Sequence, residues 1–295
     1  MSRRLFIVFN PSAGRHRREL LEEVVVKARQ FGASVAVDET AAAADASSDI
    51  RAAVASGRWD VIVAAGGDGT VRLVASAVSG SGVAVGYIPL GTGNVLAHEL
   101  NLPRDADGLA RNLVFGTIGQ VEIATANDAL FVLMAGMGFD GRVVGALDSK
   151  AKAVLGKAAY IIPTVKALGT EPDEMTVTVD GCRHIANWAV IANGQHYAGR
   201  FVIAPRTDLR RPGLSAILFK ARWQGDMVAH LVELGLGKLG QLAERAGSGV
   251  TMLPCRHAVV ESAIPLPVQI DGDAAGAMTR LEIKAGLEPV RFVGV

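Results

Sequence analysis

The chain has 295 residues and a formal net charge of +1, half of its residues are hydrophobic, and its mean hydropathy is +0.31. This apolar content excludes a disordered chain, and the balanced charge gives no reason to expect a nucleic-acid partner. Two cysteines, Cys182 and Cys255, cannot build a disulfide framework and lack the spacing of a zinc site, which favours a reducing, cytoplasmic location.

The first 121 residues alternate short apolar runs with helical patterns. Strands are predicted over 4–10, 33–39, 60–65 and 82–89, and helices over 17–31, 47–57, 70–79, 94–100 and 107–115. Strands separated by helices of this length indicate βαβ units and a mostly parallel sheet. We therefore predict a parallel α/β domain over residues 1–121.

After about residue 121 the pattern changes to short strands. The alternating stretch 174–185 is divided by Asp180-Gly181, a strong hairpin signal. Further strands are predicted over 187–193, 200–205, 214–219, 250–254, 258–262, 266–270, 280–286 and 289–295, and helices over 142–168 and 226–245. This predicts a mainly antiparallel β-sandwich over 122–286, with residues from about 287 to 295 returning to the first domain.

The uncharged segment 73–97 is long enough to span a membrane, but glycine and proline interrupt it repeatedly, so it predicts a strand with flanking loops. The apolar run Leu5–Phe9 is too short for the core of a signal peptide. We expect a soluble protein.

Polar, glycine-rich loops follow the predicted parallel strands, at residues 10–15, 38–40, 66–70 and 89–94. The carboxyl ends of parallel strands meet at one edge of a sheet, where ligands bind. Each loop by itself is explained by turn formation and helix capping. Several such loops at one edge predict a phosphate-bearing ligand instead.

The stretch Gly66-Gly67-Asp68-Gly69-Thr70 carries the most specific signal. Glycines allow backbone N–H groups to approach phosphate oxygens, and the helix that follows offers its positive end. A carboxylate in an anion-binding loop is unfavourable unless it holds a cation or accepts a proton, and both roles belong to phosphoryl transfer. The stretch matches neither the P-loop nor the dinucleotide-binding pattern.

Motifs along essentially the whole chain resemble those of the diacylglycerol kinase catalytic family. They are NPSAG (10–14), AAGGDGT (64–70), IPLGTGNVLAHELNLP (88–103), MAGMGFDGRVV (134–144) with GKAAYI (156–161), and PVQIDGDAAG (267–276). That family includes bacterial lipid kinases, sphingosine kinases and ceramide kinases. The GGDGT element also suits NAD kinases and phosphofructokinases of the wider superfamily, whereas the GTGN and GFD elements favour the lipid branch.

The resemblance implies a Rossmann-like domain of the NAD kinase and phosphofructokinase superfamily followed by a β-sandwich, with ATP held between them. It implies an ATP- and Mg²⁺-dependent lipid kinase that phosphorylates a hydroxyl of diacylglycerol, ceramide or a related sphingoid lipid. The residues expected at ATP, from the resemblance and the loops above, are Asn10, Pro11, Ser12, Ala13, Gly14, Thr40, Gly66, Gly67, Asp68, Gly69, Thr70, Val71, Arg72, Leu73, Gly91, Thr92 and Asn94.

Candidate catalytic residues follow from the same resemblance. Asp271-Gly272-Asp273 occupies the place of a motif that supplies a catalytic base, with Asp273 where the family usually has a glutamate, one methylene longer. Without the resemblance, Asp271-Gly272 would be explained as a hairpin turn, whereas the resemblance favours a catalytic role. Asp68 is the rival base, and we expect it to be shared between Mg²⁺ and the base network.

Departures from the family pattern leave alternatives open. Arg72-Leu73 replaces the usual Asn-Glu, and Pro212 stands where an accessory metal site has an aspartate, so that metal is not expected. The alternatives are a soluble-substrate kinase of the NAD kinase type and a non-catalytic nucleotide- or lipid-binding sensor.

A kinase that acts on a membrane lipid has to reach it, so we expect transient contact with the inner face of a membrane. A homodimer is the other partner that we consider. Candidates for apolar contact are Trp188, Tyr197, Phe201, Trp223 and the helical segment 226–239, although core packing explains such a helix as well. Candidates for contact with anionic headgroups are Arg206, Arg210, Arg211, Lys220 and Arg222.

Overall fold

A computed structural model describes residues 3–11, 17–40, 43–147, 159 and 161–295. The chain divides into two compact units, the first formed by Met1–Glu122 with Glu288–Val295 and the second by Ile123–Leu287. Every helix in the described part of the chain is too short or too polar to span a bilayer.

Unit 1 is a six-stranded sheet with helices. Its strands are β1 (Arg4–Phe9), β2 (Ser34–Glu39), β3 (Val61–Gly66), β4 (Ala84–Pro89), β5 (Ile118–Val121) and β18 (Val290–Val293). Its helices are α1 (Arg18–Gln30), α2 (Ala43–Ala55), α3 (Asp68–Val78), α4 (Val95–Glu99) and α5 (Ala106–Phe115). The strand order is β2-β1-β3-β4-β18-β5, and only the β18–β5 pair is antiparallel. The predicted parallel α/β fold is confirmed.

The two central strands of this sheet, β3 and β4, explain why the parallel fold could be predicted from the sequence. Strands β3 and β4 are buried along their whole length, and continuous apolar strands of this kind are typical of parallel sheets covered on both faces. The sequence did not predict β5, because its four residues, IGQV, carry only a short apolar signal. Strand β18 pairs in parallel with β4 through Phe292 and Val85, so it belongs to this sheet.

Unit 2 is mainly antiparallel β-structure, as predicted. Its strands are β6 (Ala124–Ala126), β7 (Ala129–Phe131), β8 (Met134–Gly138), β9 (Met175–Val179), β10 (Cys182–Ala186), β11 (Trp188–Ala192), β12 (His196–Tyr197), β13 (Phe201–Val202), β14 (Leu214–Phe219), β15 (Val250–Cys255), β16 (His257–Ile270) and β17 (Asp273–Lys284). Its helices are α6 (Phe139–Gly145), α7 (Ile161–Leu168), α8 (Gln224–Gly235) and α9 (Leu239–Ala243). The main sheet runs β15-β14-β11-β8-β16-β17-β6-β7, with β9 beside β16 and β10 beside β9.

Strand β16 organises this sheet. It is 14 residues long, and its first half pairs with β9 over Ala258–Ser262, whereas its second half pairs with β8 over Val268–Ile270. Its ladder with β17 changes register between Glu261 and Leu266, where Pro265 has no backbone N–H to donate. The sequence predicted two strands here, and the structure joins them into one.

Two predicted helices differ in the structure. The segment 142–168 gives α6 and α7, which are separated by non-α-helical residues at 146, 147 and 159, and residues 148–158 and 160 of that prediction lie outside the described residues. The segment 226–245 is divided into α8 and α9, because Gly237 adopts a φ of +69°, which ends a right-handed helix. The predicted hairpin at Asp180-Gly181 is confirmed between β9 and β10.

Candidate functional site

The loop after β3 is joined to the loop after β4. The carbonyl oxygen of Gly66 accepts hydrogen bonds from the N–H groups of Leu90 (2.8 Å) and Gly91 (3.0 Å). A Cβ atom added to Gly91 would lie 2.6 Å from the Cα atom of Gly67, closer than real contacts allow. The glycine at 91 is therefore required by the approach of two backbones, independently of any ligand.

Asp68 stabilises this pair of loops with its side chain. Its Oδ2 accepts the N–H of Val95 (3.0 Å), and its Oδ1 accepts the N–H of Leu96 (3.1 Å). These are the first N–H groups of helix α4, which have no partner within a helix, and the side chain of the preceding Asn94 does not cap them. A carboxylate from another loop therefore caps α4.

Asn94 is buried, and its side chain forms hydrogen bonds within the loop after β4. Its Nδ2 donates to the carbonyl oxygens of Gly91 (2.8 Å) and Pro89 (3.3 Å), and its Oδ1 accepts the hydroxyl of Tyr87 (3.0 Å). Burial, together with the charge of Asp68, raises the pKa of Tyr87 well above its ordinary value, so the hydroxyl remains a donor.

Other predicted ATP contacts follow the neighbouring strands. Asn10 after β1 donates its N–H to Ala65 (3.1 Å), and Thr40 after β2 donates its N–H to Phe9 (3.0 Å). Asn10, Thr40 and Gly66 thus lie at the carboxyl ends of three adjacent strands. Ser12, Ala13 and Gly14 lie outside the described residues.

The remaining predicted ATP contacts fall into two groups. Thr70 and Val71 have buried side chains, and their N–H groups donate to the carbonyl oxygen of Gly67 (3.0 and 3.2 Å). The others are half-buried: Pro11, Gly67, Asp68, Gly69, Arg72, Leu73 and Thr92. The Nη1 of Arg17 donates to the carbonyl oxygen of Pro89 (3.2 Å) and brings a cation to this loop.

We expect Gly91→Ala to lower the stability of the fold and Gly67→Ala to lower the affinity for ATP. The methyl group at 91 has no space, so the free energy of unfolding should fall by about 1–3 kcal/mol. A Cβ atom on Gly67 would meet only the Cα of Gly91 at 3.6 Å, an ordinary contact, and its φ of −97° suits alanine. Gly67→Ala should therefore unfold like wild type in urea but bind ATP at least tenfold more weakly. Equal ATP binding by Gly67→Ala and wild type would contradict a phosphate site at this glycine.

In unit 2, Asp271-Gly272 forms the turn between β16 and β17. Both residues have positive φ, +50° and +80°, as a two-residue hairpin of the Asp-Gly type requires. The Asp271 carboxylate is 6% exposed and accepts three backbone N–H groups, from Val132 (2.9 Å), Leu133 (2.8 Å) and Met134 (3.0 Å). This side chain attaches the turn to the start of β8.

Asp273 is the second carboxylate of the turn and has a different environment. It opens β17, pairs with Ile270 across the hairpin, and is half-buried. Of the two carboxylates, Asp273 is therefore the one that solvent reaches, whereas Asp271 is enclosed by backbone.

Asp140 and Gln269 form a buried polar pair next to this turn, and the sequence analysis gave neither residue a role. Asp140 is 1% exposed; its Oδ2 accepts the Nε2 of Gln269 (3.0 Å), and its Oδ1 accepts the N–H of Gly141 (2.8 Å). The Oε1 of Gln269 in turn accepts the N–H of Gly272 (2.8 Å). Asp140 is therefore connected to the turn through one side chain. The GFD motif, which contains Asp140, and the Gln two residues before the turn were the sequence signals that could have indicated this pair.

Burial raises the pKa of Asp140 from the ordinary 3.8 to about 7. The folded chain then keeps a proton that the unfolded chain has lost, so the Asp140 contribution to stability should decrease as the pH rises from about 4 to about 7. Burial lowers the pKa of His230, which acts in the opposite direction. The difference in urea unfolding free energy between wild type and Asp140→Asn should isolate the first effect, and parallel pH profiles of the two proteins would contradict it.

The described residues contain no cluster of three or more His, Cys, Asp or Glu side chains arranged to hold a metal. Asp208, near the expected accessory position, pairs with Arg210 (3.5 Å) and Arg211 (3.8 Å). Asp68 offers one carboxylate whose oxygens already accept two N–H groups. Asp68 could therefore supply one carboxylate to a divalent metal such as Mg²⁺.

Comparison with known proteins agrees with these two units. Residues 4–126 match the family described as "Diacylglycerol kinase catalytic domain", and residues 134–287 match the "YegS C-terminal NAD kinase beta sandwich-like domain". The chain belongs to the diacylglycerol kinase catalytic family. The resemblance of the motifs is thereby confirmed for both halves of the chain.

Individual members of the family show the extent of the similarity. A diacylglycerol kinase of Bacillus subtilis is 32% identical over 184 residues, which cover 61% of this chain and 60% of that protein. A "Probable lipid kinase YegS-like" of Enterobacter sp. is 30% identical over 68% of this chain and 69% of that protein. The match thus spans less than two thirds of the Bacillus subtilis protein.

Solved structures extend the likeness of fold to the whole chain. A crystal structure of a putative diacylglycerol kinase from Bacillus anthracis has a TM-score of 0.76 and covers 99% of this chain and 97% of that one. At 19% sequence identity, this similarity concerns the fold alone.

Proposed function

We propose that the chain is an ATP- and Mg²⁺-dependent lipid kinase that transfers the γ-phosphate to a hydroxyl of diacylglycerol, ceramide or a related sphingoid lipid. The observation that carries the proposal is the pair of interlocked glycine loops after β3 and β4 in a chain of this family. The names of its relatives, diacylglycerol kinase and lipid kinase, favour the lipid branch over a soluble substrate.

The donor side is built by unit 1. Helix α3 has 11 residues and begins at Asp68 directly after the glycines, so its first N–H groups and positive dipole end lie in the loop. Gly67 leaves room for a phosphate oxygen to approach the backbone, and Arg17 adds a positive charge at the second loop. Bound with the nucleotide, Mg²⁺ would neutralise phosphate charge, and Asp68 is the residue that would hold it.

The acceptor side requires a base, and Asp273 is our candidate. It would take the proton of the lipid hydroxyl as that oxygen bonds to the γ-phosphorus, while the bond from this phosphorus to the bridging oxygen breaks and its electron pair leaves with ADP. Asp68 is the weaker candidate, because both oxygens of its carboxylate already accept backbone N–H groups.

The test is transfer of radiolabelled phosphate from ATP, with diacylglycerol, ceramide and sphingosine in mixed micelles and with NAD in solution. The proposal predicts magnesium-dependent label in at least one lipid and none in NAD. Label in NAD alone would instead establish a soluble-substrate kinase. Tight ATP binding without transfer to any lipid would establish a sensor, and either result would overturn the proposal.

A further inference from the structure

Helix α8 presents an apolar stripe to solvent. Its buried side is formed by Met227, His230 and Leu234. On the opposite side, Val228 is 44% exposed, Val232 is 53% exposed, and Leu236, the residue after the helix, is 61% exposed. Residues four apart lie on one face of a helix, and a surface helix normally places charged residues there. Core packing therefore does not explain these side chains.

Two exposed aromatic residues lie near this helix. Trp223, just before the helix, is 61% exposed, and its indole ring lies against Gly225 in the first turn. Phe201 is 45% exposed and belongs to β13, which contacts α8. We call Phe201, Trp223, Val228, Val232 and Leu236 the α8 face. Exposed tryptophan at the border of an apolar surface is typical of proteins at a membrane interface.

The segment around the α8 face is also the basic part of a nearly neutral chain. Residues 200–245 contain eight Arg and Lys side chains and four carboxylates, whereas the rest of the chain has 22 basic and 25 acidic side chains. Two of these four carboxylates, Asp208 and Glu244, already pair with arginines of the same segment. Arg222 and Lys238 stand immediately before and after the α8 stripe. The other two carboxylates, Asp226 and Glu233, belong to α8 itself, so the excess of positive charge lies in the chain before and after the helix.

We propose that the α8 face docks on a lipid bilayer that contains anionic headgroups. A stripe of apolar side chains inserts at the boundary of the acyl chains, and basic residues around it contact the headgroups. Docking rests on the proposed function in one respect, since a kinase whose acceptor is a membrane lipid has to reach that lipid at the bilayer surface. The charge distribution favours this occupant over a second copy of the chain, which would bring like charges together.

The experiment measures co-sedimentation of the full chain with phosphatidylglycerol vesicles and with phosphatidylcholine vesicles, without ATP or diacylglycerol. We expect wild type to bind phosphatidylglycerol at least tenfold more tightly, with binding weakened by added salt. Val228→Glu combined with Val232→Glu should reduce that binding at least tenfold. Val26→Glu is the matched control, because Val26 is also 52% exposed on a helix, α1 of unit 1, and this variant should bind like wild type.

Unchanged vesicle binding by the α8 double variant would overturn the proposal. So would a wild-type dimer that the double variant converts to a monomer without loss of vesicle binding, because the face would then join two copies. Should the double variant fail to fold, quenching of wild-type tryptophan fluorescence by brominated phosphatidylglycerol gives an independent readout. We expect Trp223→Phe to remove most of this quenching, and undiminished quenching would also overturn docking through the α8 face.

This assay separates docking from catalysis. A chain that binds vesicles through the α8 face but phosphorylates no lipid would refute the proposed function and leave the docking surface in place. A chain that phosphorylates lipid in micelles while the double variant still binds vesicles would refute the docking surface alone.

Discussion

Replacing Asp273 with asparagine is expected to lower kcat for lipid phosphorylation by about 10²–10⁴, the range over which general bases contribute. The amide has nearly the same shape but cannot take the proton of the acceptor hydroxyl. Since Asp273 is half-buried at the start of β17, the variant should unfold in urea close to wild type and should bind ATP equally well. The loss should therefore appear in kcat and not in nucleotide affinity.

Asp273→Glu is the matched control for this result. It keeps a carboxylate and adds the methylene that the family usually has at this position, so it should retain far more activity than Asp273→Asn. Full activity of Asp273→Asn would remove Asp273 from the role of base. Asp68→Asn, measured alongside, would then show whether the rival carboxylate carries that role.

Asp271→Asn, two residues away, is expected to act on stability instead. The buried carboxylate accepts three backbone N–H groups, and an amide places a donor against at least one of them. Hydrogen bonds to a buried charge are strong, so the free energy of unfolding should fall by about 3–5 kcal/mol. Urea unfolding followed by the fluorescence of Trp188, which is fully buried in unit 2, reports on the affected part of the chain.

The matched control for Asp271→Asn is Asp273→Asn in the same turn, with the same chemical change and a half-exposed side chain. An unfolding midpoint for Asp271→Asn equal to that of the control would show that the three hydrogen bonds add little. Together the two variants test whether Asp271 stabilises the fold while Asp273, one glycine away, acts in catalysis.

Much of unit 1 could be predicted because its signals are local. The strands β3 and β4 are continuous apolar runs, and α1 carries buried residues at helical spacing, Leu21, Val24, Val25 and Ala28. The strands β5 to β8 were not predicted, since they are only three to five residues long and rich in alanine and glycine. Short runs of this composition do not differ enough from loops.

The hydrogen-bond partners of the site carboxylates could not be predicted, because these partners are remote in the chain. Asp68 caps a helix 27 residues later, and Asp271 binds backbone 137 to 139 residues earlier. The Asp140–Gln269 pair joins residues 129 apart. The motifs indicated candidate segments, and only the folded backbone shows which carboxylate of a motif is enclosed and which is accessible.

The position of β18 has a consequence for synthesis on the ribosome. Residues 290–293 lie between β4 and β5 in the sheet of unit 1, yet they are translated after all of unit 2. While unit 2 emerges, the first sheet has a gap beside β4, where backbone N–H and C=O groups await their partners. Unit 2 is thus the first that can complete its fold, and unit 1 is finished last.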